Sequence, residues 1–214
     1  MKIAIIGATG LVGTRVVKEA LQRGFEVKAI ARKPEALTIT DNRLQTEAVD
    51  VFDIYALAKA INGYDAVVST YNAGWANPDL YNAFIKGSEA IQQATKQGGV
   101  KRLIVVGGAG SLEIEPGKQL VDSPDFPADW KNGATAARDY LNILKKEQDL
   151  DWTFVSPAIM LKPGERTGQF RLGTDSPVFN DEGKSEISVE DLAVAIINEL
   201  ENNNYIKKRF TAGY

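Results

Sequence analysis

Cysteine and histidine are both absent from this 214-residue chain. Without a thiol there is no disulfide and no cysteine nucleophile. Without either side chain there is no Cys/His zinc site, and mechanisms that use an imidazole base are excluded. The lack of cysteine leaves the redox compartment undecided. Charge of one sign is also in short supply: 25 Lys plus Arg stand against 28 Asp plus Glu, a net charge of -3. No basic excess points to nucleic acid or to an anionic membrane. Long apolar runs are missing too. Met1-Lys2 leads straight into a short apolar strand, so neither a signal peptide nor a membrane span is expected, and a soluble cytoplasmic protein is. What is present is a 44% apolar content, enough for a packed core. The length suits one domain, residues 1–214, with insertions.

The chain is organised around its first twenty residues. Lys2 to Ile6 is a short Ile-rich run that reads as a buried parallel strand. Gly7-Ala8-Thr9-Gly10-Leu11-Val12-Gly13 follows at once, and Leu11, Val12, Val16, Val17, Ala20 and Leu21 then recur at helical spacing. Strand, glycine turn and helix in this order form the context of a dinucleotide-binding fingerprint. Gly7 lets the chain turn off the strand. Gly10 lets the backbone approach a pyrophosphate, and Gly13 lets the helix pack closely on the sheet. The free N–H groups at the helix start, around Leu11 and Val12, would hold the phosphates, and Thr9 can add a hydroxyl.

The spacing is G-x-x-G-x-x-G, and with it the chain resembles the extended and atypical short-chain dehydrogenase/reductases. It is most similar to the small group that contains NADH-flavin reductases, biliverdin-IXβ reductase and NmrA-like proteins. Later segments carry the same resemblance: Val106-Gly107-Gly108-Ala109-Gly110-Ser111, Asp151-Trp152-Thr153, Ser156-Pro157-Ala158, Pro163 to Gly168, and Ile187 to Leu192. It implies an α/β fold, a doubly wound parallel sheet with helices on both faces, that binds NAD(P)(H), with Gly107 and Pro157 beside the cofactor.

Further strands are expected at residues 25–31, 44–49, 65–70, 101–106, 152–156 and 209–211, alternating with helices. Asp53 is a predicted N-cap, Asn77-Pro78 a predicted N-cap and first helical position, and Ser188 with Asp191 a capping box stapled by Ile187 and Leu192. Two Pro- and Gly-rich stretches break the rhythm, at about 107–130 and 161–185. Both follow strands and carry apolar residues, so both are expected to overhang the carboxyl edge of the sheet as a substrate rim.

NAD would call for an acidic residue at the end of the second strand. Ala29-Ile30-Ala31-Arg32-Lys33 stands there instead. Arg32 can pair with a 2′-phosphate and Lys33 adds charge, so NADP(H) is favoured over NAD(H). The resemblance likewise places an NADP-reading arginine here. It also implies that Asp50 meets the adenine amino group beside the Val51 backbone, although a loop or capping aspartate is an equal reading. Ser69, Thr70 and Tyr71 end the fourth strand and should border the cofactor mainly through backbone.

The family's Tyr-x-x-x-Lys acid pair belongs after the fifth strand. The one match, Tyr55 to Lys59, lies between the third and fourth strands and reads as a surface coincidence. Tyr140 and Lys145 are five apart, which separates them on a helix, so Tyr140 reads as a packing residue. Ser111 sits in the family's serine region and could orient a carbonyl, or could be an ordinary loop serine. Hydride transfer to a flavin-like ring needs positioning more than a protein acid, and Tyr71, Trp75, Phe126 and Trp130 could wall such a ring. Two readings follow: a reductase of a planar acceptor, and a non-catalytic NADP(H) sensor of NmrA type. A sugar-nucleotide epimerase ranks third, because the catalytic pair and a large carboxyl-terminal domain are missing.

Overall fold

Buried on both sides, the apolar strands sort their side chains by simple alternation. The computed structural model describes residues 1–214. Its strands are β1 (Lys2–Ile6), β2 (Glu26–Ala31), β3 (Leu44–Ala48), β4 (Ala66–Ser69), β5 (Arg102–Val106), β6 (Glu113–Glu115), β7 (Lys118–Gln119), β8 (Asp151–Pro157), β9 (Met160–Lys162), β10 (Arg171–Gly173), β11 (Glu186–Ser188) and β12 (Lys208–Gly213). Its helices are α1 (Leu11–Gln22), α2 (Ile54–Ile61), α3 (Leu80–Gln97), α4 (Ala128–Leu144) and α5 (Val189–Asn202). The main sheet runs β3-β2-β1-β4-β5-β8-β12-β10. Every neighbouring pair is parallel except β10 with β12. Ile3 and Ile5 face one core with Val16 of α1 and Leu192 of α5. Ala4 and Ile6 face the other, with Leu57 of α2, Phe84 of α3 and Leu141 of α4. Each fully buried Ile or Leu contributes roughly 1.5–3 kcal/mol. This is the doubly wound α/β arrangement, with helices on both faces. No helix is long and apolar enough to cross a membrane.

The caps set the helix starts. Asp53 accepts a hydrogen bond from the Ala56 amide at 2.9 Å, as its position predicts. Helix α3 begins later than expected. Asn77 accepts from the Asp79 amide at 2.9 Å and closes an Asx turn, so the N-cap position falls to Asp79. Ser188 caps α5 through the Asp191 amide at 2.9 Å. The reciprocal half of that box is absent. The Asp191 carboxylate instead takes the Thr167 hydroxyl, the Gly168 amide and the Tyr214 hydroxyl at 2.5, 2.8 and 2.9 Å. Ile187 and Leu192 do share one core, as the staple requires.

The first insert contains a short 3₁₀ turn at Ala109–Ser111 and the β6–β7 hairpin. It ends at Pro127, whose ring pre-sets the entry to α4. Trp130, at the end of the predicted insert, is therefore helical. The second insert departs further from expectation. Its first half does not overhang the carboxyl edge. The Gly164 amide donates to Glu190 on α5, and Arg166 pairs with Glu19 on α1 at 2.7 Å. Residues 171–173 then form the antiparallel edge strand. Charged anchors hold this segment along the α1–α5 face. Only its second half meets the first insert, where the Glu113 amide donates to the Asp175 carbonyl at 2.7 Å.

Candidate functional site

From β1 the chain goes to β2 and β3 on one side, and from β4 onward to the other. The connections diverge at the carboxyl end of β1, which is where a doubly wound sheet opens a crevice. A groove lies there. Gly7, Thr9 and Gly10 line it from the turn, Arg32 from the end of β2, Asp50 and Val51 from the end of β3, and Thr70 and Tyr71 from the end of β4. Phe52, Asn72, Ala73 and Asn77 line it as well and were not foreseen. Their common signal is position, since each follows a strand that ends at this edge.

Steric contact fixes the glycines. Gly7 has φ +79°, and a Cβ there would lie 2.8 Å from the Thr70 carbonyl oxygen. A Cβ on Gly13 would overlap the Gly7 carbonyl oxygen outright and press on the Thr70 hydroxyl. Gly10 differs. Its Cβ would meet nothing closer than the Gly7 oxygen at 3.2 Å. So Gly7 and Gly13 permit the turn and the close helix packing, while Gly10 keeps the groove side clear. Thr70 braces the turn, its hydroxyl donating to the Ile6 and Gly7 carbonyls at 2.9 and 3.1 Å. The first bond of α1 runs from the Thr14 amide to the Gly10 carbonyl at 3.0 Å. That leaves the Leu11, Val12 and Gly13 amides without intrahelical acceptors at the positive end of a 12-residue helix.

Arg32 is exposed at the groove and forms no salt bridge with any of the chain's carboxylates. Across from it, Asp50 spends one carboxylate oxygen on the Phe52 amide at 3.0 Å, a local turn bond. Tyr71 lies between. Burial pushes its hydroxyl pKa up, the nearby Arg32 charge opposes this and Asp50 adds to it. The ring stacks on Phe84 at 6.1 Å, and the hydroxyl donates to the Ala83 carbonyl at 3.1 Å.

The other expected site residues lie apart from this groove. Lys33 is exposed just beyond Arg32 and Ser69 is buried in β4. Gly107 follows β5, where a Cβ would strike the Phe154 ring, and Pro157 ends β8, buried. Ser111 is corrected most clearly. It is 1% exposed, its hydroxyl lies 3.2 Å from that of Ser156, and its carbonyl accepts from Arg209. Arg209, itself buried, also pairs with Asp175. Ser111 thus belongs to a buried polar junction and does not line the groove. Nor do the aromatics form one wall. Tyr71 lines the groove, whereas Trp75, Phe126 and Trp130 do not, and no two of these four rings stack on each other. Trp75 lies over Gly133 of α4.

The two tyrosines weighed as acids differ sharply in burial. Tyr55 is 80% exposed on the outer side of α2. Tyr140 is wholly buried, donates to Gln92 at 3.2 Å, and has its hydroxyl pKa driven far upward by desolvation. Neither reaches the groove.

Glycine turn, free helix start and switch-point crevice together define a dinucleotide-binding protein of the doubly wound class. The chain belongs to the NAD(P)H-binding family, whose family model matches residues 7–203. It is 37% identical to the uncharacterised protein YwnB of Bacillus subtilis, over 99% of this chain and 97% of that one. Among solved structures it is similar to a candidate epimerase from Bacteroides thetaiotaomicron, with 43% identity, a TM-score of 0.93, and coverage of 100% of this chain and 96% of that one. It is also similar to a candidate NADH-flavin reductase from Streptococcus pneumoniae, with 37% identity, a TM-score of 0.85, and coverage of 100% and 99%.

Proposed function

We propose that this chain is an NADPH-dependent reductase that passes hydride to a planar acceptor of the flavin type. The observation that carries the reading is the pairing of the glycine turn with an unpaired arginine at the end of β2. The residues fit the cofactor. The Gly10 surface and the free amides of Leu11, Val12 and Gly13 suit a pyrophosphate. Thr9 adds a hydroxyl at the same mouth. Arg32 suits a 2′-phosphate through paired hydrogen bonds, with Lys33 adding charge. Asp50 and Val51 would hold the adenine, and Gly107 and Pro157, beyond the groove at the ends of β5 and β8, would face the nicotinamide. Reduced nicotinamide supplies the hydride.

The chain's own contribution is placement. With Tyr55 outside, Tyr140 sealed and Ser111 engaged elsewhere, no side-chain acid is assigned to the reaction. A ring that delocalises the charge it gains needs none. Trp75, Phe126 and Trp130 remain the proposed acceptor rim, now as separate contacts around α4 and the first insert. A cytoplasmic setting suits a chain that draws on reduced nicotinamide. The same lack of an acid favours a second reading, a non-catalytic NADP(H) sensor. One experiment separates them: single-turnover NADPH oxidation against flavins, quinones and tetrapyrroles, with 4-deuterated NADPH as a check on hydride transfer. Turnover with a flavin is expected, and Tyr55→Phe and Tyr140→Phe should leave it within about twofold, whereas loss of an essential proton donor costs ~10²–10⁴-fold. Tight NADPH binding with no turnover on any acceptor would establish the sensor instead.

A further inference from the structure

Gly87 and Gly133 stand in the interiors of α3 and α4. Glycine costs a helix about 1 kcal/mol relative to alanine, so each position needs a reason. The reason is the same twice. A Cβ on Gly87 would lie 2.5 to 2.6 Å from the Tyr71 ring and hydroxyl. A Cβ on Gly133 would lie 2.8 Å from the Trp75 indole. Both rings come from one loop, the link between β4 and α3. Each occupies the space of a side chain that its helix lacks.

The two seats are unequal. Tyr71 is half-buried, stacked on Phe84 and hydrogen-bonded to the Ala83 carbonyl. Trp75 is 61% exposed, stacks on no other ring and donates its indole N–H to no protein group. Gly74, just before it, has φ +93° and no atom near its missing Cβ. Asx turns at Asn72 and Asn77 bracket the segment. Asn72, Ala73 and Asn77, on either side of Trp75, line the groove.

We propose that Gly133 is a positioning residue: it is a releasable seat for Trp75 that holds loop residues 72–77 against the nucleotide groove, with Gly87 and Tyr71 as the fixed anchor. The inference rests on the groove being the NADPH site. Seating the indole narrows the groove. Unseating it frees the segment to move about the Gly74 swivel while Tyr71 stays in place.

The test is Gly133→Ala, which adds one methyl to the seat and raises helix propensity, so α4 itself is favoured. Hydrogen exchange without nucleotide should speed up in the peptide spanning residues 70–79 and stay unchanged through α4. NADPH affinity by calorimetry should fall roughly tenfold, within the usual range for coupled sites. Trp75→Ala should do the same. The double variant should be no weaker than Trp75→Ala alone, because the added methyl meets the indole at 2.8 Å before Leu80 at 3.2 Å. Unchanged loop exchange in Gly133→Ala overturns the seat. Faster exchange with unaltered affinity, or additive losses in the double variant, overturns its link to the groove. Failure of the wild-type protein to bind NADPH would sink the nucleotide reading and this link with it, while the exchange measurement still decides whether the seat exists.

Discussion

The groove and the two inserts hold themselves together by opposite means. At the groove, order comes from atoms that are missing: Gly7 and Gly13 let backbone meet backbone, and one threonine hydroxyl braces the turn. In the inserts, order comes from ion pairs and hydrogen bonds in which one charged partner is buried. Glu19 is 3% exposed and is shared by Arg23 and Arg166, Asp191 is fully buried, and Arg209 joins Ser111 of the first insert to Asp175 of the second. A site built on backbone closeness tolerates almost no added volume but little depends on its charge. A segment built on half-buried ion pairs tolerates shape changes better than the loss of the partner that neutralises the buried charge.

The largest expected effect comes from volume at the turn. Gly13→Val sets a branched side chain into the Gly7 carbonyl, an overpacking cost of upwards of about 3 kcal/mol. For a chain of this size that lowers Tm by roughly 6–12 °C. Gly10→Val, three residues earlier, should leave Tm nearly unchanged and abolish NADPH binding, because its side chain would enter the groove. Calorimetric scans paired with NADPH titrations check both. Equal Tm losses in the two would erase the distinction between packing and clearance.

Next comes charge in the inserts. Arg209→Met keeps most of the volume but leaves the Ser111 carbonyl and Asp175 without their shared donor. A loss of about 2–4 kcal/mol is expected. Hydrogen exchange should rise in residues 107–127 and 173–178 together, with the β1–α1 turn unaffected. Loosening of one insert alone would show that Arg209 does not join them.

The smallest effect on stability is expected at Arg32, which pairs with nothing in the chain. Arg32→Asp should leave Tm in place and move the preference between NADPH and NADH by about 1–3 kcal/mol toward NADH. Calorimetry with both nucleotides measures it. An unchanged ratio would reduce Arg32 to a solvated turn residue.

This contrast also explains what could be read from the chain alone. The glycine turn was legible because Gly7, Gly10 and Gly13 fall within seven residues and flank a strand and a helix. Arg32 and Asp50 were legible because a strand's end is a local property. Asp53 and Ser188 worked as caps for the same reason. The partner of Asp191 was not legible, since Thr167 and Tyr214 reach it from distant segments. Ser111 was placed in the right loop and given the wrong surroundings. Its burial depends on Arg209, 98 residues further on. Likewise Arg166 and Glu19 lie 147 residues apart, and nothing near either one announces that the second insert runs along α1 and α5. The spread of the aromatics has the same origin, because Trp75 lies over Gly133, far along the chain in α4.

The edge strand carries a consequence for how the chain is made. β10 has a single neighbour in the sheet, β12, and it pairs Arg171 with Gly213 and Gly173 with Thr211. During synthesis residues 171–173 emerge well before the strand that receives them. The βαβ units around β1 can close from local contacts as they appear, whereas β10 must wait for β12 to dock on β8. Pairing of β10 is therefore expected to come after β12 has docked, and Leu172, on the outermost strand, stays about half exposed even then.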